Sequence, residues 1–177
     1  MTDINLRELP RKLKFICIHW SAGAYTNLER EYYHFSIDPS GTVHEGLLKP
    51  EANIPPLYQG KYVPHCGGGN SYAIGVALLG MAGYKSPKAI GNYPLKQEQC
   101  EAAWAKVAEL CHKYQIPVTP DTVYTHYEFG KRNPKTTSAG KIDIVFLPFK
   151  PELTPDRVGD YIRGKVKWYL AKLESKA

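Results

Sequence analysis

Two short apolar runs constrain this chain most. Tyr72 to Leu79 (YAIGVALL) carries no charge and no polar–apolar alternation, and Leu13 to Trp20 (LKFICIHW) holds the apolar stretch Phe15 to Ile18. Runs of this length, apolar on both faces, suit strands inside a sheet covered on both sides. Such a sheet needs covering layers, and the chain supplies candidates. In Leu95 to Tyr114, Cys100, Ala103, Trp104, Val107, Ala108 and Cys111 form one stripe at helical spacing. In Asp156 to Leu173, Val158, Tyr161, Ile162, Val166, Tyr169 and Leu170 form another. The expected fold is α/β: a central mixed β-sheet flanked by helices.

The intervening segments complete that sheet. Tyr32 to Ile37 (YYHFSI) reads as a strand entering the turn Asp38-Pro39-Ser40-Gly41, with Thr42 to Glu45 as its hairpin partner. Strand alternation puts His34 on the face opposite Tyr33, so His34 reads as structural. Lys49 to Val63 is irregular, with three prolines, and leads to the glycine-rich loop His65 to Asn70 (HCGGGN). Thr122 to His126 reads as a further strand, and Phe129 to Gly140 as a long polar loop. With 177 residues and no repeats, one domain over 1–177 is expected, its motif core at about 13–147 and a basic C-terminal helix at about 156–173.

Composition narrows the function classes. No apolar run approaches the ~18 residues of a membrane span, and the first residues lack the pattern of a secretory signal. Cys17, Cys66, Cys100 and Cys111 form no CxxC pair and read as buried, reduced thiols. Lys plus Arg is 23 against 17 Asp plus Glu, a net charge of +6. That balance favours polyanionic partners. No zinc-finger spacing, RGG segment or dense basic stripe is present, so no nucleic-acid partner is expected. The segment from Asp156 to Ala177 holds six Lys/Arg and three Asp/Glu, which suggests surface attraction to an anionic wall or membrane.

The chemistry-bearing residues sit at strand ends. His19 closes FICIH and precedes small residues; His126 closes TVYTH. In Gly140-Lys141-Ile142-Asp143, an extended backbone points Lys141 and Asp143 to one face. Two histidines and one carboxylate make the three-ligand set of catalytic zinc sites, which keep a position open for water. His44 and His112 read as surface residues.

These residues reach a family in order along the chain. FICIHWSAG, YHFSID with Gly41-Thr42-Val43, HCGGGNSYAIGVAL, Thr125-His126-Tyr127-Glu128 and Gly140-Lys141-Ile142-Asp143-Ile144 together resemble the zinc-dependent N-acetylmuramoyl-L-alanine amidases, a group that includes phage lysozymes and peptidoglycan recognition proteins. The resemblance implies a single amidase-like domain with Zn2+ held by His19, His126 and Asp143, the last standing where some relatives have Cys. It puts Tyr33 and Lys141 on the catalytic tyrosine and lysine, and His65 and Asn70 along the substrate cleft. The wall-recycling branch carries a glutamate where this chain has Ala77, which leaves Glu128 as a substitute base. The wording of the last two motifs is similar to phage and prophage enzymes. The implied function is therefore a monomeric endolysin acting on peptidoglycan, held in the host bacterial cytoplasm until its release to the cell wall. Two alternatives stay open: a non-catalytic peptidoglycan-binding module, and a cytoplasmic amidase acting on recycled wall fragments.

Overall fold

The two apolar runs lie side by side in the computed structural model, which describes residues 12–176. Among the described residues, strands β1 (Phe15–Trp20), β2 (Phe35–Ile37), β3 (Val43–Glu45), β4 (Ala73–Leu78) and β5 (Val123–Thr125) form one sheet in the order β3-β2-β4-β1-β5. β1 pairs in parallel with β4 and β5, β2 pairs in parallel with β4, and β3 is the antiparallel edge. The sheet is therefore mixed, with the two apolar runs inside it. Every residue of β4 is buried.

The helices α1 (Gln97–Tyr114) and α3 (Pro155–Ser175) pack against each other and against one face of the sheet. Ile16, Ile18 and Trp20 from β1 and Ile74, Val76 and Leu78 from β4 meet Trp104 and Val107 of α1 and Ile162 and Val166 of α3. The stripe expected on α1 is buried in full. Buried Gln99 closes the joint by donating to the carbonyls of Ile37 and Leu79, each at 2.9 Å. The hairpin turns at Gly41, whose φ of +88° a residue with a Cβ adopts only with strain. All four cysteines are free and buried.

Two expectations need correction. The expected polar loop begins as a helix, α2 (His126–Arg132). Thr125 accepts from the Glu128 amide at 3.1 Å, and Glu128 accepts from the Thr125 amide at 3.0 Å. This reciprocal capping satisfies two amides that a helix start leaves unpaired, and its signature, Thr-x-x-Glu, is present in the sequence. The second correction concerns β2, which starts at Phe35, so strand alternation does not govern Tyr33 and His34. Both rings reach the same side: Tyr33 lies 5.0 Å from the ring of His19, and His34 lies 5.7 Å from the ring of His65.

Candidate metal centre and cleft

The two faces of the sheet are unlike. Opposite the helix-packed face, β1 presents Cys17 and His19 and β4 presents Ala73, Gly75 and Ala77. There Cys17 packs with Cys66 and Tyr124, beside Phe129 of α2. The small residues of β4 leave room for imidazole rings. At the carboxyl ends of the parallel strands a cleft of about 420 Å³ opens, lined by Trp20, Tyr33, His65, His126, Lys141 and Asp143 among others. This is where open α/β sheets place their ligands.

Three separate segments bring the expected metal ligands together. His19 ends β1, His126 starts α2, and Asp143 follows the loop after α2. His19 Nδ1 lies 2.8 Å and His126 Nδ1 lies 3.2 Å from the same carboxylate oxygen, Asp143 Oδ2. All three side chains are buried. A tetrahedral ion with ligands at about 2.0–2.1 Å separates its ligand atoms by roughly 3.3 Å, close to both distances.

Hydrogen bonds behind the histidines decide which ring nitrogens face inward. Ser138 Oγ donates to the Gly67 carbonyl at 2.7 Å, so it accepts from His126 Nε2–H at 2.9 Å. His65 Nε2–H donates to the Ala73 carbonyl at 3.0 Å, so its Nδ1 accepts from His19 Nε2–H, also at 3.0 Å. Each relay fixes one proton on Nε2 and turns Nδ1 toward Asp143. Such outer hydrogen bonds set the tautomer of metal-binding histidines.

Electrostatics agree with this wiring. Burial drives His65 well below the usual imidazole range, so it stays neutral. Burial also lowers His19. Burial would lower His126 too, but hydrogen bonds with Asp143 and Cys66 outweigh it and hold that ring at about 9. Burial would raise Asp143, yet the His126 and His19 rings beside it keep its carboxyl below the ordinary value. The centre thus pairs a carboxylate with cationic charge, the arrangement a metal cation replaces. A second triplet, Cys17, His19 and His65, is also close enough to share an ion. Its donors are engaged otherwise: His65 Nδ1 already accepts from His19, and burial keeps the Cys17 thiol protonated.

Tyr33 and Lys141 line the cleft as expected. Burial, followed by the charge of Asp143, lifts the Tyr33 phenol above its ordinary range, so it is a hydrogen-bond donor at neutral pH. Lys141 is exposed at the cleft wall, reached through Gly140. Ala77 stands in register beside His19, and among the described residues lining the cleft Asp143 is the one carboxylate.

Other expected residues have different duties. Glu128 faces away from the cleft: its carboxylate takes two bonds of 2.9 Å from Arg163 of α3 and caps α2, so it is no substitute base. His65 lines the cleft wall, and both its nitrogens are engaged, one by His19 and one by the Ala73 carbonyl. Asn70 accepts from the Cys66 amide at 2.7 Å and braces the glycine loop. His34 is structural, accepting from the Gly75 amide at 2.9 Å and bonding Asn53 at 3.0 Å. His44 pairs with Asp38 at the surface and His112 is exposed. Ser138 escaped the sequence reading because nothing in its polar loop marks it.

Gly75 shows how closely the relay is packed. A Cβ there would stand 2.5 Å from His65 Cγ. Gly75→Ala is expected to destabilise the fold by about 1–3 kcal/mol through overpacking. It should also weaken metal affinity by about 10–100-fold by displacing the ring that orients His19. Urea denaturation and metal titration of the same sample would read both.

Comparison with known proteins follows this geometry. The family model described as N-acetylmuramoyl-L-alanine amidase matches residues 9–141. No curated protein matches. Among solved structures, an endolysin N-acetylmuramoyl-L-alanine amidase, LysCS from Clostridium intestinale, is 17% identical with a TM-score of 0.51, over 89% of this chain and 86% of that one. The amidase LysC from the same organism is 17% identical with a TM-score of 0.49, over 89% and 87%. AmiD from E. coli, solved with anhydro-N-acetylmuramic acid-L-Ala-D-γ-Glu-L-Lys, is 19% identical with a TM-score of 0.42, over 70% and 51%. The LysCS likeness shows a shared fold.

Proposed function

The chain belongs to the N-acetylmuramoyl-L-alanine amidase family, and on that premise we propose that it is a zinc-dependent hydrolase of the amide joining N-acetylmuramic acid to L-alanine in peptidoglycan, working as a phage-type endolysin. The observation that carries this reading is the convergence of His19 Nδ1 and His126 Nδ1 on Asp143 Oδ2 at the floor of an open cleft. His19, His126 and Asp143 would hold the ion. When bound, zinc polarises the scissile carbonyl and lowers the pKa of water from 15.7 to about 7.

The chain's own residues do the rest. Lys141 Nζ offers positive charge where the carbonyl oxygen becomes an oxyanion. Tyr33 Oη, protonated at neutral pH, donates a second hydrogen bond to that oxygen. His65 and Ser138 keep the two imidazoles from rotating, so no reorganisation is needed during reaction. Ala77 in register with His19 supports action on wall polymer rather than the glutamate-based chemistry of the recycling branch. The endolysin role and host-cytoplasmic accumulation rest on the phage-like wording of the THYE and GKIDI motifs. The attraction to anionic surfaces is weaker than charge counting suggests, since Arg163 is buried against Glu128 and Lys165 pairs with Glu101.

Acid should weaken the metal. The proton on His126 titrates at about 9 in the metal-free cluster, and an ion must displace it. Zinc affinity is therefore expected to fall by about tenfold for each pH unit below that value. Competition against a chromophoric chelator between pH 6 and 9 would read the slope, and a flat profile would remove the proton from His126.

The decisive test is mass spectrometry of purified peptidoglycan after digestion, with His19→Ala as control. Intact glycan strands plus free peptides beginning at L-alanine, absent with the variant, are the expected products. Cuts inside the glycan or the peptide would assign another bond. No products from the zinc-loaded protein would favour a binding module.

A further inference from the structure

Helix α3 buries Val158, Ile162 and Val166 in the core and turns a different set of side chains outward. Arg157, Tyr161, Gly164, Trp168 and Lys172 follow one another at spacings of three or four residues, so they share one face. That face runs for roughly 22 Å at 1.5 Å per residue. The acidic residues of α3 lie beside it, not on it. Asp156 takes a bond from Lys131 of α2, and Asp160 takes one of 2.7 Å from buried Arg163. Among the described residues, Arg157, Lys167 and Lys172 stand in no ion pair. Trp168 is 50% exposed, whereas Trp20 and Trp104 are buried. Lys172 Nζ lies 3.9 Å and Lys165 Nζ 5.5 Å from the centre of a Trp168 ring, so indole and cations form one patch.

We propose that this face of α3 docks on the surface of an anionic phospholipid bilayer, with Trp168 seated at headgroup depth and Arg157, Lys167 and Lys172 against the phosphates. Each half of the patch argues for a bilayer. Basic side chains are drawn to anionic headgroups, each worth about fivefold in partition. Indole rings settle at the membrane–water boundary, where one edge is apolar and the other wet. A dissolved acidic polymer calls only for the cations. The exposed indole among them selects a surface with an apolar layer beneath its charge. Its neighbours on the helix leave it free to insert: Gly164 and Ala171 are exposed and small, and a Cβ at Gly164 would meet nothing within 4 Å. One outward indole with a few cations gives a peripheral and reversible contact, which salt weakens. The placement also suits an enzyme. α3 covers the sheet face from which Ile16, Ile18 and Trp20 project, and His19 projects from the other. A bilayer held on the outer side of α3 therefore leaves the metal centre and its cleft clear.

The test uses the full chain and unilamellar vesicles of two compositions, phosphatidylcholine alone and phosphatidylcholine mixed equally with phosphatidylglycerol. With Trp20 and Trp104 buried, the fluorescence change reports Trp168. Emission should move to shorter wavelength with the anionic vesicles, be quenched by lipids brominated on their acyl chains, and stay unchanged with the neutral vesicles. Partition measured by co-sedimentation should fall about fivefold in Lys172→Gln and about 25-fold in Arg157→Gln, Lys172→Gln. Trp168→Ala should weaken it as well, and 1 M salt, where the Debye length is about 3 Å, should release the protein. These side chains are exposed and distant from the metal centre, so urea midpoints should match the wild type. Equal binding to both vesicles, no binding to either, or binding that neither Trp168→Ala nor the double variant weakens would overturn the proposal. So would binding of lipid-free teichoic acid through the same cations with no vesicle binding, which would assign the face to a wall polymer. The vesicle measurements contain no peptidoglycan, so their failure leaves the amidase reading intact, and absence of hydrolysis leaves the docking face intact.

Discussion

Asp143→Ala is expected to release the metal and lower kcat by about 10³-fold or more. The size follows from its position. Asp143 Oδ2 is the one atom that both histidine Nδ1 atoms approach, and metal polarisation is worth several kcal/mol, each 1.36 kcal/mol being about tenfold in rate. The variant also leaves His126 without the carboxylate that raises it, so that ring should titrate lower, which NMR of the metal-free protein would read. Asp143→Cys supplies a thiolate, an accepted zinc ligand, and should recover part of both metal content and rate. If Asp143→Ala kept its zinc and its activity, the ligand set would be wrong.

Arg163→Met should give the largest loss of stability. The Arg163 guanidinium is buried and makes two 2.9 Å bonds to Glu128, with a third bond of 3.0 Å to the Val123 carbonyl. Glu128 is only partly exposed, so removing Arg163 strands its charge at a cost approaching the roughly 3–5 kcal/mol of a fully buried pair. Urea denaturation would measure it. The double variant Arg163→Met, Glu128→Gln should recover part of the loss, because the carboxylate left without Arg163 is then only that of exposed Asp160. Activity should fall with the single variant as well. Glu128 caps α2, whose first residue is His126, so the C-terminal helix helps to hold His126 in place. A variant as stable as wild type would show that water reaches this pair and screens it.

How much of this was legible in advance depends on the kind of interaction. The buried β1 and β4, the stripe on α1 and the Gly41 turn follow from patterns within a few residues, and each appeared where expected. The start of α2 was also legible, since Thr125 and Glu128 stand at capping-box spacing, but the polar run after them masked it. The hydrogen bonds of Glu128, His65 and Asn70 were not legible for a different reason. Each has a chemically suitable side chain whose hydrogen bonds go to partners that no local pattern names.

By itself, then, the sequence determined which segments become strands and helices, and which residue types in which order carry the chemistry, because periodicity and turn chemistry act over short distances. The tertiary structure alone decided which nitrogen of each histidine faces Asp143, that His65 and Ser138 set those orientations, and that Arg163 withdraws Glu128 from the cleft. Direction is the physical reason. A hydrogen bond depends on where its partner sits, and His19 meets Asp143 across 124 residues of chain and His65 across 46.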